Sequence, residues 1–306
     1  MMITVICGGT GSAKLIRGLD AVVDAEDLTI ITNVGDNIWL YGLYICPDID
    51  TVLYTLNASL DEKRGWGLRD DTFVFLRRYG ALGEDNWFKI GDNDLATHVL
   101  RTKLLGEGHT LSRITSTLAR RLRIRQRIIP ATDQSLQTII LTTKGEMNLQ
   151  EYWVRDQGEP IVQGVYYRGI EHVEPSKDVS SSILESERII VTSGNPISSI
   201  GPTISIPQIA EALKRTTATK VAVSPIIGNS PINGPAGRMM KALGLDVSPA
   251  GIAKFYSSFL DTLVIDRTDE SYSNAIKDLG MKAHLADIIM RNHEDEVELA
   301  KVLLSV

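Results

Sequence analysis

Three groups of residues in this chain have the types and spacing for chemistry. The first is Gly8-Gly9-Thr10-Gly11-Ser12-Ala13-Lys14. Glycines let a backbone approach an anion closely. A loop that opens a helix also offers unpaired N–H donors at the positive end of the helix dipole. The chemistry this suits is phosphate binding. Spacing narrows it further. The dinucleotide fingerprint G-x-G-x-x-G fails at Lys14, where its third glycine belongs, and the P-loop pattern G-x-x-x-x-G-K-S/T fails too. No acidic residue closes the next apolar run as a ribose ligand: Leu28–Thr32 leads into Asn33-Val34-Gly35-Asp36-Asn37, with Asp36 beyond a turn. The plain alternative is a tight turn that uses glycine for sterics alone.

The second group is Cys46-Pro47-Asp48-Ile49-Asp50-Thr51. On an extended segment, carboxylates at i and i+2 share a face. Such a pair suits Mg²⁺, which takes a few carboxylates and leaves room for substrate phosphates. It would equally set one carboxylate as a general base beside a metal-bound partner. Asp50-Thr51 also reads as a helix N-cap, which accounts for Asp50 but not for Asp48.

The third group runs from Trp87 to Arg101. Lys89, beside Trp87 and Phe88, is placed to reach a planar ligand with polar edges. Asp92 or Asp94 caps the helix that follows. His98, one turn from both Asp94 and Arg101, reads as a satisfied helix histidine. Two later loops, Ser193-Gly194-Asn195-Pro196 and Ser224-Pro225-Ile226-Ile227-Gly228-Asn229, are rich in Gly, Ser and Asn. Small residues expose backbone donors, and Asn and Ser side chains can read a base or ribose.

The elements that must position these groups follow from hydrophobic patterning. Short β-branched apolar runs recur at Thr4–Cys7, Leu28–Thr32, Gln137–Thr142, Ile189–Thr192, Lys220–Val223 and Thr262–Asp266. Helix-period segments such as Ile209–Arg215, Met239–Leu243 and Ser271–Leu279 lie between several of them. This alternation predicts an α/β chain: a Rossmann-like, doubly wound, mostly parallel sheet, with ligands at the strands' carboxyl ends. Residues 1–306 read as a single nucleotide-binding domain carrying two excursions. Residues 53–118 form a helical insertion contributing to an acceptor pocket, with candidate helices at Thr51–Leu60, Asp71–Arg78, Leu95–Leu104 and Leu111–Leu118. Residues 122–174 form a small β-rich excursion. Met281–Ser305 reads as an amphipathic helix pair.

Composition excludes several classes. At 306 residues and net charge −6, the chain has no electrostatic footprint for nucleic acid or an anionic membrane. Its one basic run, Arg120–Arg127, reads as a solvated face. Two cysteines, Cys7 and Cys46, support neither a disulfide nor a zinc framework. No apolar run approaches the ~18–20 residues of a membrane span, and a cytoplasmic location is expected. A homodimer built on an apolar surface is compatible with this reading.

Taken together, Gly8-Gly9-Thr10-Gly11, Asn33-Val34-Gly35-Asp36, Pro47-Asp48-Ile49-Asp50-Thr51, Gly91-Asp92-Asn93-Asp94-Leu95-Ala96-Thr97-His98 and Ser224-Pro225-Ile226-Ile227-Gly228 resemble the 2-phospho-L-lactate transferase family of coenzyme F420 biosynthesis. The resemblance covers essentially the whole chain. It implies Mg²⁺-dependent transfer from lactyl-2-diphospho-5′-guanosine to the deazaflavin FO (7,8-didemethyl-8-hydroxy-5-deazariboflavin), giving GMP and F420-0. By position it implies a nucleotide site at Gly8, Gly9, Thr10, Gly11, Ser193, Gly194, Asn195, Ser224 and Gly228. It further implies an acceptor site at Asp50, Lys89, Asp36 and Trp87. Asp48 and Asp50 are assigned to the metal and to catalysis. One stretch departs from the family pattern: Ser193-Gly194-Asn195-Pro196 stands where Gly-Pro-Ser-Asn-Pro is usual. The alternative function is that of a related non-transferase branch, a regulatory protein that binds nucleotide sugars.

Overall fold

The computed structural model describes residues 1–306. Seven strands form the central sheet: β1 (Ile3–Cys7), β2 (Leu28–Thr32), β3 (Arg127–Pro130), β4 (Arg188–Val191), β5 (Thr219–Val223), β6 (Thr262–Asp266) and β7 (Lys282–Ala286). Their order across the sheet is β7-β6-β5-β4-β1-β2-β3, and every pairing is parallel. Both β1 and β2 are buried along their whole length, as strands covered on two faces must be. The order reverses between β1 and β4. In a doubly wound sheet, that switch point is where a crevice opens beyond the strands' carboxyl ends. The loops leaving β1 and β4, Gly8–Gly11 and Thr192–Asn195, are therefore neighbours.

Two excursions leave this frame. Between β2 and β3 the chain builds the hairpin Ile38–Leu40/Leu43–Ile45 and four helices labelled from α2, after α1 (Ser12–Asp20): α2 (Pro47–Leu56), α3 (Val74–Ala81), α4 (Asp94–Gly106) and α5 (Leu111–Arg121). Between β3 and β4 it builds a three-stranded antiparallel sheet from Gln137–Thr142, Gly145–Asn148 and Val162–Arg168. One contiguous apolar core joins the central sheet to its flanking helices. A small satellite of Ile38, Ile45 and Ile90 packs under the hairpin.

Three expectations need correction. Gln137–Thr142 is a strand, but it belongs to the antiparallel excursion and not to the parallel sheet; it turns straight into Gly145–Asn148. The segment after Met281 is not a helix pair. Lys282–Ala286 is an edge strand paired only to β6, and a single helix follows at His293–Ser305. The basic run, by contrast, is the solvated face expected: its arginines are exposed at the end of α5, through the turn and at the start of β3, where Arg127 pairs with Asp178. Finally, the helix expected from Thr51 starts four residues earlier, at Pro47. Proline presets the backbone angle of the first helical residue, and Asp48 and Asp50 in the first turn complement the dipole. Asp48 and Asp50 thus lie on a helix and not on an extended segment, so they do not share a face.

Candidate active site

A cavity of about 710 Å³ opens at the switch point. Its size lies within the range of small-molecule sites. The loop after β1 contributes Gly9, Thr10 and Gly11 to the wall, and the loop after β4 contributes Ser193, Gly194 and Asn195. Gly9 needs its positive φ of 75°, a value that favours glycine. Gly8 sits just behind the wall, against the Ser199 carbonyl, Asn33 and Asp48. The Gly9 N–H donates to Asp48 Oδ1 at 2.8 Å. The amides of Thr10, Gly11, Ser193, Gly194 and Asn195 donate to no protein acceptor. Free N–H groups from two adjacent loops, one of them opening α1, are what an anion such as a diphosphate requires.

Beyond the glycine loop lies an acidic group. Asn33, which follows β2, places its side-chain nitrogen 3.1 Å from Asp36 Oδ2 and 2.9 Å from Asp48 Oδ2, donating to both. One amide nitrogen thereby gathers two carboxylates on the cavity wall. Asp36 Oδ1 is buried and has no hydrogen-bond partner. Burial pushes the Asp36 carboxyl well above its ordinary range, and the neighbouring Asp48 charge adds to the rise. Burial likewise raises Asp48 to about 6, although Asn33 and the Gly9 amide oppose it.

Asp50 has different partners. Arg101, from α4, forks onto both of its oxygens, with Nη1 3.0 Å from Oδ2 and Nη2 against Oδ1. His98 Nδ1 lies 3.6 Å from the same carboxylate. Asp94 accepts from the Tyr54 hydroxyl at 2.5 Å and stands 3.3 Å from His98 Nε2. Burial works against the charge of Asp94, yet His98 and Tyr54 outweigh it and keep the carboxyl below its usual range. Asp50, Tyr54, Asp94 and His98 all line the cavity. Lys89 lies on the wall too, exposed, and makes no ion pair.

Not every residue named from the sequence reaches the cavity wall. Trp87 packs edge-on against Phe88, under Arg155, and the tryptophans that line the cavity are Trp66 and Trp153. The Ser224 hydroxyl is spent on its own loop, at the Ile226 carbonyl and amide. The Gly228 amide donates to Asp269. Pro225 is the member of that loop on the wall. Asn195 lines the cavity, but its side-chain oxygen caps the wide helical turn Pro196–Ile200. The caps expected from Asp92 and Asp94 are exchanged. Asp92 holds the α3 amides of Val74 and Phe75, while Asp71 holds those of Asn93 and Asp94.

Three residues central to this geometry carried no assigned role: Asn33, Tyr54 and Arg101. For Arg101 the signal was present, because Asp94, His98 and Arg101 at i, i+4 and i+7 share one helix face.

The raised Asp48 carboxyl has a consequence for stability. Folded Asp48 holds a proton that the unfolded chain releases above about pH 4, so its contribution is full below that value and is lost as pH rises to about 6. Thermal unfolding in chelator should show wild type losing, across this window, stability that Asp48→Asn retains. Parallel curves for the two proteins would contradict the burial argument.

Fold and cavity together define a Rossmann-like α/β protein with its ligand site at the sheet's switch point. The family model described as 2-phospho-L-lactate transferase CofD matches residues 3–303, and the chain belongs to that family. It is 40% identical to the 2-phospho-L-lactate transferase of Methanosarcina mazei, over 98% of both chains. The enzyme of that name from Methanocaldococcus jannaschii is 39% identical, over 99% of this chain and 97% of its own. A protein named phosphoenolpyruvate transferase from Streptomyces griseus is 34% identical, over 100% and 98%. Among solved structures, a UPF0052 family member from Bacillus halodurans superposes with a TM-score of 0.68 over 99% of each chain; at 15% identity, it supports the fold alone. No helix is long and apolar enough to cross a membrane.

Proposed function

We propose that this protein transfers the 2-phospholactyl group of lactyl-2-diphospho-5′-guanosine to FO, forming F420-0 and GMP for coenzyme F420 biosynthesis. Membership of the family supports the transferase class. The observation that carries the finer reading is the cavity itself, where five unpartnered amides and a buried acidic pair line one space. A lactyl donor is favoured by the higher identity to the two enzymes named for phospholactate.

The amides of Thr10, Gly11, Ser193, Gly194 and Asn195 hold the donor's diphosphate. Asp50 and Lys89 hold FO by its polar edges. The terminal ribityl hydroxyl of FO attacks the lactyl-bearing phosphorus, and the bond from that phosphorus to the bridging oxygen breaks. GMP departs with that oxygen. Both oxygens of Asp50 are occupied by Arg101, so the hydroxyl proton passes to Asp48 on the cavity wall and not to Asp50. Positioning and charge neutralisation then supply most of the catalysis, as phosphoryl chemistry requires.

The residues present fit a hard divalent cation at Asp36 and Asp48: two buried carboxylates, one with an oxygen that nothing satisfies. Asp48 with Asp50 fits less well, since Asp50 is committed to Arg101. No three acidic, His or Cys side chains gather into a cage, so a cation there would need substrate phosphates and water for its remaining ligands. When bound there, Mg²⁺ would neutralise charge on the diphosphate.

The acceptor half is tested by Lys89→Ala. The expected result is a rise in the KM for FO of about tenfold, with the donor's KM unchanged. Equal FO dependence in variant and wild type would remove Lys89 from the site.

A further inference from the structure

We propose that Arg101 is a positioning residue for the acceptor, one that acts through Asp50 and touches no substrate itself. The role rests on the reading of the cavity given above. Arg101 is fully buried, 0% exposed, and is the largest such side chain in the protein. It stands behind the cavity wall, while Asp50 is part of the wall. Its planar fork meets the carboxylate with two parallel N–H groups. A bidentate pair of this kind fixes the carboxylate's plane as well as its place, which a lysine's point charge does not.

The surroundings restrain Arg101 in turn. Nη1 also reaches His98 Nδ1 at 3.2 Å and the Tyr44 carbonyl at 3.4 Å. Tyr44 follows the hairpin turn, Asp50 sits in α2, and His98 and Arg101 sit in α4, so one guanidinium ties three elements together. Burying a full charge is expensive, and a well-packed apolar pair would hold two helices together as firmly. Here the ion pair presents an immobile carboxylate to the cavity instead. Beside it on the wall are Asp94, Tyr54 and His98. A fixed acceptor of known direction is what recognition of N–H and O–H groups on a rigid planar ligand requires. Arg101 supplies the rigidity and Asp50 makes the contact.

The test is steady-state kinetics of Arg101→Lys, which keeps the charge and removes the fork. The expected result is a fall in kcat/KM for FO of about tenfold or more, with the donor's KM within about twofold of wild type. A purely structural Arg101 would lower the active fraction and leave both KM values alone, and that result overturns the proposal. Asp50→Asn/Arg101→Gln avoids an unpaired buried charge and guards against misfolding. Because Arg101 acts through Asp50, this double variant should match Asp50→Asn alone in its dependence on FO. A further tenfold loss would show a role beyond Asp50 and also overturn the proposal. Wild-type protein that neither binds nor turns over FO would end the proposed function and this role with it. Active wild type with an unaffected Arg101→Lys would end this role alone.

Discussion

Replacing Asp48 by asparagine is expected to lower turnover by about 100-fold or more, while GDP affinity stays within a few-fold. The substitution is nearly isosteric, yet it removes one of the two carboxylates of the acidic pair. It also breaks a hydrogen-bond arrangement with no spare capacity. Asp48 accepts from the Gly9 amide and from the Asn33 side chain, and the Asn33 oxygen is already committed to the Gly35 amide. An asparagine at 48 has one acceptor and two neighbours that donate. Either Gly9 or Asn33 loses its partner, at a cost of about 1–3 kcal/mol. The chemical loss should exceed that, because the carboxylate proposed to share the cation and the proton is gone. Kinetics with a magnesium titration check this. Full turnover, or an unchanged magnesium dependence, would take Asp48 out of the reaction.

The second large effect is expected at Gly8. A Cβ there would meet the Ser199 carbonyl oxygen at 2.3 Å, Asn33 Cβ at 2.8 Å and Asp48 Oδ2 at 2.9 Å. Two of these are rigid: a backbone carbonyl, and the stem of the residue that gathers the acidic pair. Gly8→Ala must therefore push the glycine loop away from the loop after β4, costing about 1–3 kcal/mol of stability. It should abolish measurable GDP binding, because the free amides on the two loops would no longer converge. Gly11→Ala is the control. Its backbone is already right-handed, with φ −63°, and its Cβ would find nothing closer than the Ser193 carbonyl at 3.6 Å. Gly11→Ala should melt close to wild type and still bind GDP measurably. Thermal melts and GDP titration of the two variants separate steric need from general glycine preference; equal behaviour would show that the close approach at Gly8 does not matter.

How much of this was legible in the sequence differs by element. The buried central strands announce themselves, since β1, β2 and β6 are short runs rich in β-branched residues and the bounds expected for β2 and β6 match those observed. The two edge strands do not. Arg127–Pro130 begins with an exposed arginine, and Lys282–Ala286 is only partly buried, so neither carries the continuous apolar signature of a covered strand. The acidic group was visible as a set of residues but not as an arrangement. Reading Asp48-Ile49-Asp50 as extended put both carboxylates on one face. Pro47 instead starts the helix, so Asp48 turns toward Asn33 and Gly9 while Asp50 turns toward Arg101. The partners that decide this, Asn33 and Arg101, lie 15 and 51 residues away in sequence from the acids they hold, and no local pattern links them. The later loops show the same limit. Ser193-Gly194-Asn195 and Ser224–Gly228 have similar composition, yet only the first leaves β4, next to β1 at the switch point.

The amides of the two switch-point loops and the carboxylates of Asp36 and Asp48 are proposed to serve one transfer reaction. Its most direct measurement is incubation of the protein with Mg²⁺, FO and lactyl-2-diphospho-5′-guanosine, with both products followed by chromatography and mass. The expected result is F420-0 and GMP formed in equal amounts, each requiring both substrates. Absence of either product, from folded protein that instead binds a uridine diphosphate sugar without turnover, would contradict it and favour the regulatory alternative.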